Sequence, residues 1–251
     1  MTDQTRTARS MLSRGLSILN CFRPGESELA LSELARRADL PKPTAHRLIA
    51  ELVDAGMLER GDRGLRLGLN LFTLGTRVPR QRRLSELARP HLKRMRDLTR
   101  QSAFLFLPDG LDPVMADGVC GGPAGVPCPP AEGEAAARAV MTLLRVHHAR
   151  LAPSGAGPAE RSRPLRRAAR APSSVELARV AEQGFAIARC GPETIAVAVP
   201  AFGASGVLIA ALAVAGAPER THPARAASHL RAAGTKLSRA LSNTPGLVPA
   251  P

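Results

Sequence analysis

Lys42, Pro43, Thr44, His46 and Arg47 follow closely on one another, and the acids nearest to them, Glu51 and Asp54, come later. Ala45, Leu48, Ile49 and Leu52 recur at i, i+3, i+4 and i+7 through the same stretch, which is the buried stripe of a helix. The polar set then stands on the opposite face and its flanks. An arginine there can pair bidentately with guanine, a threonine can meet a base edge or a thymine methyl, and later acids stay clear of phosphate. An ordinary solvated helix can carry the same residues. Downstream, residues 57–60 and 65–67 flank Gly61, Asp62, Arg63 and Gly64 as a tight hairpin with Arg63 at its tip. Arg60, Arg63 and Arg66 are suited to phosphate contacts along such a wing.

Those side chains need elements to hold them, and the chain length of 251 residues leaves room for two ordinary domains. Lys and Arg number 35 against 21 Asp and Glu, a formal charge of +14. Such an excess suits a polyanion such as nucleic acid, or an anionic membrane surface, and arginine-rich genome composition produces it as well. Residues 194–218 carry no charge, but Pro200, Gly203, Ser205 and Gly206 cluster inside them. This reads as two buried strands joined by a loop, so no membrane partner is expected.

Cys21, Cys120, Cys128 and Cys190 form no CxxC pair, and no apolar signal segment opens the sequence. The expectation is free structural thiols in a reducing, cytoplasmic setting. No GxSxG elbow, Walker loop, post-strand GxGxxG or HExxH is present, so no catalytic residue, metal or cofactor is expected and the chain does not read as an enzyme. His91 falls on an apolar stripe, where a packed histidine is the simpler reading. His147 and His148 are adjacent and would point about 100° apart on a helix, which is poor chelating geometry.

Periodicity gives the remaining elements. A helix is predicted over residues 10–22 with Leu12, Leu16, Leu19 and Phe22 on its packed face, ended by Pro24 and Gly25. A very short strand at 29–31 precedes a helix N-capped by Ser32 and running to Ala38, and the next helix starts near Lys42. Residues 84–100 read as helix through Leu84, Leu87, His91, Met95 and Leu98, with Pro90 kinking it or beginning a second one. A hairpin follows at 104–107 and 114–116, turning at Asp109 and Gly110. Next come a helix beginning near Glu134, a Pro/Ala/Arg-rich loop at 153–174 and a helix over 175–183 ending at Gly184. Strands at 185–188, 195–199 and 207–214 and a closing helix at 224–241 complete an α+β order.

The segments "SRGLSILNCF", "LALSELARRADLPKPTAHRLIAELVDAGMLER" and "RGLRLG" resemble, in order and spacing, those of IclR-family transcriptional regulators. The resemblance runs over residues 7–241 and is best in the first domain. It implies an amino-terminal winged helix-turn-helix domain (1–80), a linker helix (81–100), a GAF-like effector-binding and dimerisation domain (101–242) and a tail (243–251). It implies a sequence-specific repressor modulated by a small molecule, a homodimer or homotetramer on an imperfectly palindromic operator in duplex DNA. The DNA-binding set would be Lys42, Pro43, Thr44, His46 and Arg47, with Arg63 on the backbone.

The ligand positions depart from the family. Ala131, Glu132, Gly133 and Glu134 stand in the segment that resembles "TASGKA", with Glu134 replacing a usual lysine. Ala196 replaces a frequent cysteine before the strand containing Ala198, and "GFAIARCG" lacks the acids expected after "GYAVD". The resemblance places an effector among Ala131, Glu132, Gly133, Glu134, Ala196 and Ala198. Two glutamates there would repel small carboxylates and favour a neutral or cationic ligand. The alternative is a domain that no longer senses and serves only to dimerise.

Overall fold

The computed structural model describes residues 10–22, 26–123, 126–151, 172–203 and 206–242. The expected helix stop at Pro24 and Gly25, nearly all of the 153–174 loop, Ser205 and the 243–251 tail lie outside the described residues. The chain divides between Val78 and Pro79 into two units.

In the first unit, α1 (Met11–Leu19), α2 (Leu31–Arg37) and α3 (Lys42–Asp54) precede a hairpin of β1 (Leu58–Arg60) and β2 (Leu65–Leu67), followed by α4 (Leu69–Thr76). Ile18, Leu34, Ala35, Ala45, Leu48, Ile49, Leu58 and Leu65 form its core. Two starting expectations need correction. The Ser10 hydroxyl caps α1 by accepting from Ser13 N–H, but the face that packs carries Gly15 and Ile18, while Leu12 and Leu16 are exposed. Helix α2 begins one residue before Ser32, with Ala30 at the cap, so Leu31 is helical and only Leu29 bridges Leu65 as strand.

Short turns fix the angles between these pieces. Asp39 adopts φ 54° between α2 and α3, a left-handed conformation that aspartate tolerates better than most residues. Gly56, at φ 66°, ends α3, and Met57 N–H reaches back to Leu52 O at 2.8 Å. Gly68 closes the hairpin so tightly that a β-carbon there would meet the Gly56 carbonyl.

The second unit is built on one antiparallel sheet in the order β4-β3-β7-β6-β5. Its strands are β3 (Ser102–Asp109), β4 (Asp112–Val119), β5 (Ala186–Cys190), β6 (Thr194–Phe202) and β7 (Leu208–Gly216). Helices cover both faces, which is why β6 and β7 read as almost unbroken apolar runs. On one face, Leu84, Ala88, Leu92 and Met95 of α5 (Pro79–Thr99) and Leu230 and Leu237 of α8 (Pro223–Ser242) pack on Leu105, Val197, Val199, Leu212 and Val214. On the other, α6 (Pro130–Leu151) packs Ala135, Ala136, Ala139 and Val140 on Phe104, Phe106, Ala196, Ala198, Ala213 and Ala215, with Val180 of α7 (Ser174–Gln183) beside them.

Pro90 sits inside the single helix α5, whose buried stripe keeps the expected Leu84 and Met95 but passes through Ala88 and Leu92, leaving Leu87 and His91 half-buried and Leu98 exposed. Helix α6 starts at Pro130, four residues before the expected start at Glu134, because proline suits a first turn whose N–H groups have no helical partner. Ser173 and Glu176 form a reciprocal capping box on α7, and Gly184 ends it at φ 71°.

The thiols also need correction. Cys120 and Cys128 are joined as a disulfide, and only Cys21 and Cys190 are free. Their Cα atoms lie 5.0 Å apart, within the range a disulfide spans, so no distant partner is needed. No helix among the described residues is long and apolar enough to cross a membrane.

Candidate functional site

Helix α3 displays its polar residues because its apolar ones are consumed below. Ala45, Leu48 and Ile49 are buried against the rest of the first core, and that fixes the helix's rotation. Lys42, Pro43, His46 and Arg47 are therefore exposed and Thr44 is half-buried. The amino-terminal turns contain no acid. Arg47 makes only loose contacts, with Glu51 Oε1 at 3.8 Å and Met11 Sδ at 3.7 Å. An exposed pair of this kind contributes at most about 1 kcal/mol, so Arg47 can exchange it for another acceptor at little cost.

The hairpin tip is held by main-chain bonds. Gly61 N–H donates to Gly64 O at 2.8 Å, and Arg63 N–H donates to Glu28 Oε2 at 2.8 Å, which leaves the exposed Arg63 guanidinium to solvent. Arg66 differs from its neighbours because it is paired with Glu59 at 3.0 Å. Glu59 also accepts from Leu69 N–H at 2.9 Å, and that backbone bond, ahead of Arg66, holds its carboxyl below the usual range.

Sequence reasoning missed what braces α2. Arg37 donates to Glu26 and Glu33, each at 2.6 Å, and to Cys21 O at 3.0 Å, tying the residues before the short strand to the helix. Hydrogen bonds from Arg36 and Arg37 lower the Glu33 carboxyl to about 2. The Glu33 spacing to Arg36 and Arg37, i+3 and i+4, was the available signal; Glu26 had none, since it lies in a loop.

The residues expected around an effector are divided between two settings. Ala196 and Ala198 are fully buried beneath α6, where Phe104 and Phe106 fill the space beside them. Ala131, Glu132 and Gly133 are half-buried on the first turn of α6. Glu134 is exposed and pairs with Arg138 at 2.6 Å, as i,i+4 neighbours on a helix do. Of the six, only Glu132 lines a cavity of about 540 Å³, together with Gln101, Ser102, Gly121, Pro123 and Gly216 among others.

Comparison with known proteins bears on both units. Residues 11–62 match the IclR helix-turn-helix domain. The chain is 39% identical over 84 residues to the HTH-type transcriptional regulator TsaQ1/TsaQ2 of Comamonas testosteroni, covering 33% of this chain and 30% of that protein. It is 28% identical over 103 residues to the transcriptional repressor IclR of Escherichia coli, covering 40% and 38%. The chain thus spans about a third of the length of the curated relatives it matches. Among solved structures, an IclR homolog from Microbacterium hydrocarbonoxydans complexed with 4-hydroxybenzoate superposes with a TM-score of 0.64 at 25% identity, over 94% of this chain and 100% of that one. An IclR-type regulator from Silicibacter sp. TM1040 gives 0.63 at 24% identity, over 96% and 100%, a likeness of fold.

Proposed function

With this chain a member of the IclR family of regulators, we propose that it binds duplex DNA sequence-specifically through α3 and the β1–β2 hairpin and represses transcription under the control of a small molecule. The observation that carries the reading is the acid-free amino-terminal half of α3, whose polar face is exposed while Ala45, Leu48 and Ile49 on the opposite face lock the helix into a core. Arg47 and Thr44 meet base edges in the major groove, Lys42 and His46 flank them, Pro43 sets the first turn, and Arg63 lies on the phosphate backbone. Residues 1–80 act as the DNA-binding domain, 81–100 as the connection and 101–242 as the effector and dimerisation domain.

A single short helix in a groove gives limited specificity, so two copies on an imperfect palindrome are proposed. Exposed Leu12 and Leu16 on α1 and Leu69, Phe72 and Leu74 on α4 offer apolar surface to a second copy. The 4-hydroxybenzoate complex of the Microbacterium relative supports small-molecule control. Selection of duplexes from a random library by the full chain tests the reading. It predicts enrichment of one imperfect palindrome, with half-sites one helical turn or a multiple apart. Enrichment of no sequence would reject specificity, and a single asymmetric site bound by a monomer would reject the two-fold arrangement.

A further inference from the structure

The cavity beside the first turn of α6 carries an unusual set of polar atoms. Gln101 is 2% exposed, and its Nε2 donates to the hydroxyl of Thr221, which in turn donates to Ala217 O at 2.8 Å. That chain of donors fixes the orientation of the amide, because the Thr221 hydrogen is already committed to the carbonyl. Gln101 Oε1 is then left as a buried acceptor without a hydrogen-bond partner. Glu132, which lines the same cavity, likewise has one buried oxygen, Oε2, without a partner. Unmet acceptors of this kind are costly to bury and are rare in folded proteins unless something else supplies the hydrogens.

The floor of the cavity is shaped by close approaches. Gly216 leaves space for Gln101, whose Cγ would lie 3.0 Å from any β-carbon there, and Gly121 packs against the Gln101 main chain while its N–H donates to Ser102 Oγ at 2.9 Å. The lining also includes Pro123, Val126, Pro127 and Pro129, which are apolar, and two exposed cations, Arg100 and Arg220. Neither arginine side chain has an ion pair or hydrogen bond among the described residues. Arg100 also stands at φ 57°, a conformation that side chains other than glycine adopt at a cost and that recurs at binding sites.

Buried acceptors and exposed guanidinium groups on one cavity call for a ligand with hydrogen-bond donors at one end and an anion at the other. We propose that this cavity binds a small amino acid, its ammonium group donating to Glu132 and Gln101, its carboxylate facing Arg100 and Arg220, and its side chain against the prolines. The cavity, at about 540 Å³, has room for such a molecule. The proposal rests on the reading of the second unit as ligand-responsive and gives that ligand a chemical class. It also assigns a role to Glu132 opposite to that of a carboxylate clamp: the negative charge selects for the amine.

The test screens the twenty proteinogenic L-amino acids one at a time against the full chain by thermal shift. Calorimetry then follows on the best binder, its deaminated acid and its decarboxylated amine. The expected result is binding of at least one amino acid, with the acid and the amine each at least tenfold weaker. Glu132→Gln, which keeps the shape of a half-buried side chain, should lower the affinity of the amino acid at least tenfold without moving the unliganded melting temperature. Arg220→Met should weaken the amino acid and its deaminated acid together. Silence from all twenty, equal binding of the deaminated acid or of the amine, or unchanged affinity in Glu132→Gln would each overturn the proposal. Duplex binding measured on the same preparations separates the two readings: intact DNA binding with any of those results rejects the amino-acid site alone.

Discussion

Replacing Arg63 with alanine should change how DNA binding responds to salt while leaving the hairpin intact. The tip is held by Gly61 N–H to Gly64 O and by Arg63 N–H to Glu28, neither of which uses the Arg63 side chain. Lys42, Arg60 and Arg63 have no ion pair among the described residues, Arg47 has a loose one at 3.8 Å, and Arg66 is occupied by Glu59 at 3.0 Å. Each cation that neutralises a phosphate contributes about 0.9 to the slope of log affinity against log salt. Arg63→Ala should therefore flatten that slope by about 0.9 per protomer, or about 1.8 when two copies share a site. The assay is fluorescence anisotropy on the selected duplex and on a scrambled one, between about 50 and about 200 mM salt. The same flattening is expected on both duplexes, since a phosphate contact carries no sequence information. An unchanged slope would remove Arg63 from the backbone, and a loss confined to the selected duplex would make it a base contact instead.

Two further outcomes concern the scaffold. Ile18→Ala, at a fully buried position of α1, should destabilise the first unit by about 2–5 kcal/mol in urea unfolding, whereas Leu12→Ala, at a position 73% exposed, should have a small effect; equal losses would contradict the assigned face. His147 Nε2 accepts from Leu208 N–H at 3.2 Å, and burial, ahead of Arg150 and His148, pushes its pKa below the usual 6.5. Its neutral form is the folded one, so this stabilisation is complete above about pH 6.5 and is lost as pH falls through the lower folded value. His91 is shifted the same way by burial, so His147→Gln should reduce, not abolish, the drop in urea midpoint between about pH 7.5 and about pH 5. An unchanged drop would refute the role of His147.

What could be read from the sequence depended on whether an apolar residue had one available face. Helix α3 has a single stripe at Ala45, Leu48 and Ile49, so its rotation and its exposed residues followed directly. Helix α1 has apolar residues on two faces, and only the packing of α2 and α3 selects Gly15 and Ile18 over Leu12 and Leu16. Helix α4 escaped notice because none of its residues is buried, so no amphipathic contrast marks it. In the second unit the strands were visible as apolar runs, but β3, β6 and β7 alternate alanines and phenylalanines toward α6 with larger aliphatics toward α5 and α8, and a run buried on both sides hides that division. The cavity at Gln101 and Glu132 was half-visible. Glu132 stood out by departing from a family segment, while Gln101 gains its meaning only from Thr221, far away in sequence.

Sequence reading by α3 is tested most directly by the ratio of affinities for the selected and scrambled duplexes, measured for the wild-type chain and for Arg47→Ala at one salt concentration. A bidentate contact to a base is worth about 1–3 kcal/mol of discrimination, so the ratio should fall by about 5-fold to about 150-fold while affinity for the scrambled duplex changes far less. An Arg47→Ala protein that keeps the full ratio would contradict the account.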